Sequence, residues 1–335
     1  MAFKAPTEEM NSLLCKCGSN NFEVAHAAQI ELAKALTLPL RKGVLKGDIV
    51  TNIYQTVPFA PGTSVEFPLD FLSPGTEKDF IAYTIPNHGR IPEFHVEGDY
   101  VMVPTFDIGA SIDTNLKYIR DARWDIVNRM KEALQAAFIR KNNADGWHTI
   151  LAAAAGRNLA VYDDAATVGL FTKRLVALMR GIMRRNAGGN STSTNKGKLT
   201  DLYISPEAMS DILSWDLSQV DDITRNRIFN TSADDGETIM KIFDVNIHAV
   251  DEFGVAQEFQ TYYEGTLAGS MSGSKVEIVV GLDLSTDDSF VRPVRSEIEV
   301  FEDPTLHRSR RMGFYAWSEG GWAVLDSRRV LLGML

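Results

Sequence analysis

Residues 115–142 read NLKYIRDARWDIVNRMKEALQAAFIRKN and carry the clearest helical pattern in the chain. Apolar residues recur every three or four positions along one helix face, and Asp113 or Thr114 can cap the N-terminus. The predicted apolar stripe contains Ile119, Ala122, Ile126, Met130, Ala133 and Ala137, and is widened by Val127, Leu134 and Phe138. At about 1.5 Å per residue this helix would be roughly 40 Å long, well beyond the typical three to four turns. The pattern therefore predicts a long supporting helix.

The segment before this helix, residues 51–95, has the pattern of an extended β-hairpin. Its β-prone runs are separated by Pro-Gly pairs at 61–62 and 74–75, which are turn signals. The aromatic residues of this segment have few apolar neighbours in the sequence; they are Phe59, Phe67, Phe71, Phe80 and Phe94. Because a projecting hairpin of this kind exposes apolar surface in an isolated chain, we expect these rings to contact another copy of the protein.

The first 50 residues are predicted to be an arm with local helix and no core of its own. A loose amphipathic pattern over residues 22–32 favours a helix that ends before Pro39.

The chain after the long helix alternates helices and strands. A second amphipathic helix is predicted over residues 166–185, and Ser205 followed by Pro206 is a typical helix start. Residues 186–198 and 216–237 are polar and read as loops. Strands are predicted at 199–204, 240–250, 276–282, 297–301, 311–318 and 322–325. The expected fold class is α+β.

Size and charge set limits on function. With 335 residues the chain is long enough for about two domains. A net charge of −10 argues against tight, sequence-specific nucleic-acid binding, although a container for DNA remains compatible with it. There is no leader peptide and no apolar run of about 20 residues, so we expect a soluble protein made in the cytoplasm.

No motif predicts catalysis, a cofactor or a metal. Cys15 and Cys17 are spaced C-x-C without further ligands, and the histidines lack H-x-x-x-H spacing. Residues 269–273 resemble a nucleophile elbow only loosely, because Met271 takes the place of serine. Acidic pairs at 163–164, 221–222, 234–235 and 287–288 are typical of solvated turns. We therefore expect a protein that is not an enzyme; a hydrolase or metalloenzyme is the least favoured hypothesis.

Basic residues cluster near the C-terminus of this acidic chain. They are Arg308, Arg310, Arg311, Arg328 and Arg329. Either a phosphate group or an acidic group on a neighbouring subunit could pair with them, and the sequence leaves both alternatives open.

The order of these elements resembles the Hong Kong 97-type fold of phage capsid proteins. Three local stretches add to the resemblance over nearly the whole chain. They are LTDLYISPEAMSDILSW at 199–215, MKIFDVNIHAV at 240–250, and EIEVFEDPTLHRSRRMGFYAWSEGGWAVLDSRRVLL at 297–332. The resemblance implies an N-terminal arm (1–50), an extended hairpin loop lying across a neighbour (51–95), a peripheral domain (96–162) with a spine helix (115–142), an axial α/β domain (163–281) and return strands of the peripheral domain (282–335).

The resemblance also implies a function. The major capsid proteins of tailed phages assemble as hexamers and pentamers into an icosahedral head that encloses double-stranded DNA. The resemblance implies this function for the chain, with DNA contacted without sequence specificity. Implied partners are a separate scaffolding protein, a portal and, as a further candidate, a decoration protein. The implied location is the virion, with assembly in the host cytoplasm. The alternative is an encapsulin-like nanocompartment shell that encloses a protein cargo; the contents of purified particles distinguish the two.

Overall fold

A computed structural model describes residues 8–19, 21–47, 49–60, 62–68, 100–121, 124–185, 197–215, 240–267, 275–286 and 288–335. The helices are α1 (Glu8–Cys17), α2 (Phe22–Gly47), α3 (Leu116–Arg120), α4 (Trp124–Arg157), α5 (Lys173–Arg185), α6 (Pro206–Leu213) and α7 (Glu258–Gly265). The strands are β1 (Gln55–Pro58), β2 (Glu66–Pro68), β3 (Tyr100–Met102), β4 (Phe106–Asn115), β5 (Ala160–Tyr162), β6 (Asp201–Ile204), β7 (Met240–Ile242), β8 (Val245–Ala249), β9 (Ile278–Leu282), β10 (Phe290–Glu302), β11 (Arg311–Gly320), β12 (Ala323–Val324) and β13 (Val330–Met334).

The chain divides into two compact units. Unit 1 contains Met1–Val65, Val103–Gly146 and Arg292–Trp322, and unit 2 contains Glu66–Met102, Trp147–Val291 and Ala323–Leu335. These boundaries differ from the predicted segments at the C-terminus. The last 13 residues were predicted to be return strands of the peripheral domain. They belong to unit 2, because β13 pairs with β5 and β9 of that unit.

Unit 1 is built on an antiparallel sheet in the order β1-β10-β11-β4. β11 and β4 pair in continuous register from Arg311 opposite Asn115 to Gly320 opposite Phe106. One sheet face packs against the helices in a shared apolar core. Its members include Leu32, Leu40, Val127, Leu134, Phe138, Ile298, Val300, Met312 and Phe314. Side chains alternate along the strands, so the residues between these core positions point to the opposite, open face.

The long helix exists, but its bounds differ from the prediction. Asn115 caps α3 by accepting a hydrogen bond from Lys117 N (3.0 Å), α3 ends at Arg120, and α4 then runs through 34 residues to Arg157. At about 1.5 Å per residue α4 is roughly 51 Å long. It passes Gly146, where the side chain of Val50 packs too closely for a Cβ atom. The helix continues because Trp147, Ile150 and Leu151 extend its buried face.

The buried stripe of α4 is narrower than predicted. Val127, Met130, Leu134 and Phe138 are buried, whereas the predicted positions Ala133 and Ala137 are exposed. The larger side chains take the core positions because each buries more apolar area.

The helices of the N-terminal segment pack into the core of unit 1, and the assignment of residues 1–50 as an arm stays a prediction. α1 and α2 place Leu14, Cys17, Leu32, Leu40 and Val44 in the core of unit 1. α2 also continues through Pro39. A proline inside a helix costs about 3 kcal/mol or more, but burial of three apolar side chains on that face contributes about 1.5–3 kcal/mol each.

Unit 2 contains a mixed sheet in the order β5-β13-β9-β6-β8-β7. β13 is parallel to β5, and β6 is parallel to β8. One sheet face packs against α5 and α6 through a core that includes Phe171, Leu175, Met179, Leu202, Ile204 and Ile212. The other face carries Tyr203, whose ring contacts Trp147 at 4.9 Å between centroids. Trp147 in turn contacts Phe253 at 5.0 Å.

In unit 2 one helix is shorter than predicted, one predicted strand is divided into two, and one strand was not predicted. α5 begins at Lys173 and not at residue 166, since Gly169 has a positive φ of 78°. The predicted strand at 240–250 is a hairpin, because Phe243 (φ 51°) and Asp244 (φ 66°) both have positive φ in its turn. The strand β13 was not predicted, although all five of its residues are buried. The predicted cap is confirmed: the Ser205 hydroxyl accepts from Ala208 N (3.0 Å) at the start of α6.

Of the predicted extended hairpin (51–95), only residues 51–60 and 62–68 fall within the described part of the chain. β2 and β3 pair antiparallel, with Phe67 opposite Val101. Residues 69–99 lie outside the described part, and the predicted loop with its Phe71, Phe80 and Phe94 therefore stays a prediction.

Candidate assembly surfaces

The open face of the unit 1 sheet carries a row of three aromatic rings. Phe301 on β10 lies opposite Tyr315 on β11, with ring centroids 5.5 Å apart and planes tilted by 22°. Trp317 follows at 6.0 Å from Tyr315, edge to face. Phe301 is 38% exposed and Trp317 51% exposed. Large aromatic rings contribute much of the energy of protein interfaces, so this row is a candidate contact surface.

The neighbouring strand leaves the row uncovered. Trp317 lies opposite Gly109, and Tyr315 lies opposite Ser111 on β4. Neither small residue can shield a ring, and so the row forms a shallow apolar strip between β10 and β4. The sequence signal is the alternation of Met312, Phe314 and Ala316 with Tyr315 and Trp317; the first three are buried and the last two are not. The hairpin pattern at 51–95 predicts contact aromatics elsewhere, in the hairpin itself.

The described hairpin aromatics are only partly available for contact. Phe59 is half-buried and its backbone N–H donates to Val294 O (2.9 Å). Phe67 is 8% exposed, which corrects the expectation that its ring lacks partners within the chain. The assignment of Phe59 as an inter-subunit contact stays a prediction.

The basic cluster at residues 308–311 lies on the turn between β10 and β11. Arg308 and Arg310 are exposed, and within the described residues neither has an ion-pair partner. Arg310 has a positive φ of 57° at the end of a short 3-10 helix. Arg311 pairs with Asp113 across the sheet at 3.0 Å. Two of the three predicted arginines are therefore open to an anionic partner.

The second basic pair is an internal structural element, which corrects its prediction as a contact site. Arg329 is buried and its guanidinium donates to the fully buried Asp283 carboxylate. Arg328 pairs with Asp326 at 2.8 Å. The adjacent backbone carbonyls of Ser327, Arg328 and Val330 all accept from Arg157, which is 3.0–3.2 Å away. This network ties the end of α4 to β13 inside unit 2.

A titratable cluster joins α2 to the end of β10 in unit 1. His26 Nε2 lies 2.6 Å from Glu302 Oε1, and only 6% of the Glu302 side chain is exposed. The Phe22 ring lies 5.5 Å from the His26 ring and 5.4 Å from the His307 ring. Within the described residues, neither Glu302 oxygen has a well-directed hydrogen bond.

Burial dominates the electrostatics of this cluster. It raises the pKa of Glu302 above the ordinary value, an effect that the opposite charge of His26 only reduces. Burial also raises the pKa of the Cys17 thiol to about 12, and the negative charge of Glu302 adds to that shift. Since the reactive form of cysteine is the thiolate, Cys17 is an inert core residue.

A cavity of about 100 Å³ in unit 1 is lined by Asn142, Arg41, Arg292, Glu297 and Glu319 among others. Asn142 is 1% exposed, and its amide nitrogen and oxygen have no hydrogen-bond partner in the described part of the chain. The volume is sufficient for several water molecules, each needing about 10–15 Å³. Water in this cavity would satisfy the buried amide.

No feature of the described residues indicates a metal centre or a membrane span. Over those residues, no three His, Cys, Asp or Glu side chains are grouped so that they could hold a metal ion. None of the helices in the described part combines the length and apolar character needed to cross a membrane. The elbow-like segment 269–273 and the acidic pairs at 221–222 and 234–235 lie outside the described residues.

Comparison with known proteins identifies the fold. No family model matches the sequence, and no curated protein matches it with statistical significance. A chain of the bacteriophage PhiM1 mature capsid aligns over 86% of this chain and 87% of its own, at 12% identity and a TM-score of 0.53. A chain of the cyanophage Pam1 capsid aligns over 84% and 88%, at 14% identity and a TM-score of 0.52. A chain from Microbacterium phage Oxtober96 aligns over 86% and 90%, at 10% identity and a TM-score of 0.54.

These structures share the mixed helix-and-sheet architecture of this chain over most of its length. The chain has the Hong Kong 97-type fold of phage capsid proteins, and the predicted α+β class is confirmed.

Proposed function

We propose that this chain is the major capsid protein of a tailed double-stranded DNA phage. It self-assembles into the hexamers and pentamers of an icosahedral head and has a structural, non-enzymatic role. The observation that carries this proposal is the capsid fold, which covers 86% of this chain and 87% of the PhiM1 capsid chain. Because most of each chain is included in the alignment, the similarity extends over nearly the whole fold and not over one domain alone.

The open aromatic row of unit 1 supports the proposal. A soluble monomer seldom exposes a contiguous row of large aromatic rings without a partner. In a shell each copy has several neighbours, and one of them would cover Phe301, Tyr315 and Trp317. We assign unit 2, which contains most of residues 163–281, to the axial domain around the symmetry axes. Residues 51–95 would form the loop that lies across a neighbour.

The proposed function implies further partners. A separate scaffolding protein would guide assembly, a portal would occupy one vertex, and a decoration protein is a further candidate. Packaged DNA would be contacted without sequence specificity, consistent with the net charge of −10. The protein would assemble in the host cytoplasm and reside in the virion. The encapsulin-like nanocompartment has weaker support, since the three similar structures described above, with TM-scores above 0.5, come from phages.

The experiment is expression of the full chain alone and with scaffolding candidates, followed by light scattering and electron microscopy. The proposal predicts capsomers or closed shells. A strictly monomeric protein under all of these conditions would contradict it. Particles that contain one enzyme in place of nucleic acid would favour the nanocompartment.

A further inference from the structure

The exposed face of α5 in unit 2 is strongly basic. α5 (KRLVALMRGIMRR) contains five basic residues and no acidic residue, in a chain of net charge −10. Arg174 lies 3.5 Å from Asp163. Within the described residues, no carboxylate lies at ion-pair distance from Arg180, Arg184 or Arg185. Two of these are in the last turn, where they complement the helix dipole, but Arg180 lies outside that turn.

A groove runs along this basic face. Ala177 and Gly181 are one helical turn apart and line the groove together with Arg180, Arg184 and Phe243. Its volume is about 300 Å³. Phe243, at the tip of the β7–β8 hairpin, is 49% exposed. A Cβ atom at Gly181 would meet no atom within 4 Å, so the groove is open. Its chemistry suits an apolar side chain flanked by carboxylates.

Unit 2 also has a turn that carries an apolar side chain next to carboxylates. It consists of residues 251–257, and we call it the Val255 turn. Val255 is 59% exposed, and the exposed acidic residues Asp251 and Glu252 precede it. The turn is anchored in the core of unit 2, because Phe253 and Phe259, on either side of Val255 in the sequence, are both buried. Its backbone is fixed by hydrogen bonds from Gln257 N to Gly254 O (3.1 Å) and from Phe259 N to Glu252 O (3.2 Å).

The groove lies on the outer side of α5, whereas the turn follows β8 at the end of the unit 2 sheet, where Gly254 lies beside Ser205 and Glu207 at the start of α6. α5 packs on the face that carries Leu202 and Ile204 of β6. The Val255 turn is anchored through Phe253 to Trp147, which contacts Tyr203 on the other face. Because of this placement, the two surfaces of unit 2 cannot meet within one copy, and a contact between them joins two copies.

We propose that the Val255 turn of one copy docks into the α5 groove of the next. Val255 lies between Ala177 and Gly181, and the carboxylates of Asp251 and Glu252 face Arg180 and Arg184. This inference rests on the proposed function, for which it identifies a contact between subunits. A contact between two different surfaces of the same chain is heterologous, and repeated around an axis it closes a ring. The charge pairs at its rim fix the register and exclude wrong partners.

The first test fills the groove. Gly181→Trp places a large ring where the structure has open space, and Gly181→Ala is the matched control, which also replaces the helical glycine by a better helix former. Both variants should keep the circular dichroism spectrum and melting temperature of the wild type or exceed them. We expect Gly181→Ala to form capsomers as the wild type does and Gly181→Trp to lose them. Normal capsomers from a folded Gly181→Trp protein would overturn the inference.

The second test exchanges charges. The double variant R180E/R184E has an acidic groove, and D251R/E252R has a basic turn. Each alone should fail to form rings in electron micrographs, whereas a 1:1 mixture should restore them, because each groove then meets a turn of opposite charge. Alternation of two variants permits rings with an even number of copies and excludes pentamers. Rings from either double variant alone, or no recovery on mixing, would overturn the inference.

These outcomes separate the inference from the proposed function. If the wild type forms shells and the groove variants do so equally, the proposed function stands and this contact is wrong. If R180E/R184E forms rings but loses binding to a DNA duplex, the basic face binds phosphate, and the inference is again wrong. If the wild type never associates, both fail together.

Discussion

Phe301 and Tyr315 lie directly opposite each other on antiparallel strands, with ring centroids 5.5 Å apart. Both rings are on the sheet face away from the unit 1 core, although the residues next to them, Val300 and Phe314, are buried. The strand alternation thus gives the same short segment one set of side chains for folding and another for contact with a neighbour. Mutations on the two faces should separate these roles.

Substitution of Trp317 by serine should abolish assembly but leave folding largely intact. Trp317 is half-exposed, and cross-strand pairs on an open sheet face contribute about 0.2–1 kcal/mol. The free energy of unfolding, measured by urea denaturation at low protein concentration, should fall by no more than about 1 kcal/mol. Particle yield by light scattering should fall to background.

The matched control is Phe314→Ala on the buried face of the same strand. It should cost about 3–5 kcal/mol and reduce assembly only through loss of folded protein. Equal particle yields from Trp317→Ser and the wild type would rule out the aromatic row as a contact surface.

Removal of the buried arginine should destabilise unit 2. In Arg329→Met the fully buried Asp283 carboxylate loses its guanidinium partner, and breaking such a pair costs about 3–5 kcal/mol. Chemical denaturation would measure the change. The control is Arg311→Met, whose partner Asp113 is exposed, and surface pairs contribute at most about 1 kcal/mol. Similar losses in both variants would contradict the structural role of Arg329.

The pH dependence of stability should report on Glu302. Its folded pKa is raised above the ordinary value of 4.5, so the folded state binds the proton more tightly than the unfolded state. The stabilisation from Glu302 is therefore complete below pH 4.5 and is lost as the pH rises through the folded pKa. Glu302→Gln has no titratable carboxyl at this position, so it does not lose this stabilisation as the pH rises. Relative to the wild type, the variant should gain stability as the pH rises from about 4.5 to 7.

Thermal melts over that pH range provide the measurement. Glu299→Gln, an exposed position on the same strand, is the control and should follow the wild type. A wild type that gains stability over Glu302→Gln as the pH rises would show that the ion pair with His26 outweighs burial.

A glycine in the central strand β9 lies against two buried apolar side chains. A Cβ atom at Gly281 would lie 2.7 Å from Leu199 Cδ1 and 3.0 Å from Met179 Cε. Gly281→Ala should therefore cost about 1–3 kcal/mol through overpacking. Gly265→Ala, at the end of α7 where a Cβ meets nothing within 4 Å, should be neutral or slightly stabilising. Equal denaturation midpoints for the two variants would disprove the tight packing around β9.

Elements that have a strong local sequence pattern were predicted from the sequence alone. The α4 helix was predicted because its apolar residues repeat every three or four positions, and the start of α6 because Ser205 and Pro206 are strong local signals. The predicted helix ends at residue 142, 15 positions before the actual end of α4 and short of Gly146. The role of Gly146 depends on Val50, which is distant in sequence and packs against that glycine.

The features that the sequence did not predict depend on contacts between residues that are far apart in the chain. β13 is a short apolar segment at the C-terminus, and only its neighbours β5 and β9 make it a central strand. Arg329 was predicted to be a surface contact because a charged residue is normally exposed, whereas its burial depends on Asp283, 46 positions away. The aromatic row was missed as a surface because it becomes visible only when β10 and β11 are placed in register.

Self-assembly is tested most sharply by a cryo-electron microscopy reconstruction of the particles formed by the full chain, expressed alone and with scaffolding candidates. We predict a closed icosahedral shell of hexamers and pentamers in which another copy covers Trp317. A preparation that contains only monomers, or an assembly in which Trp317 remains exposed to solvent in every copy, would contradict it.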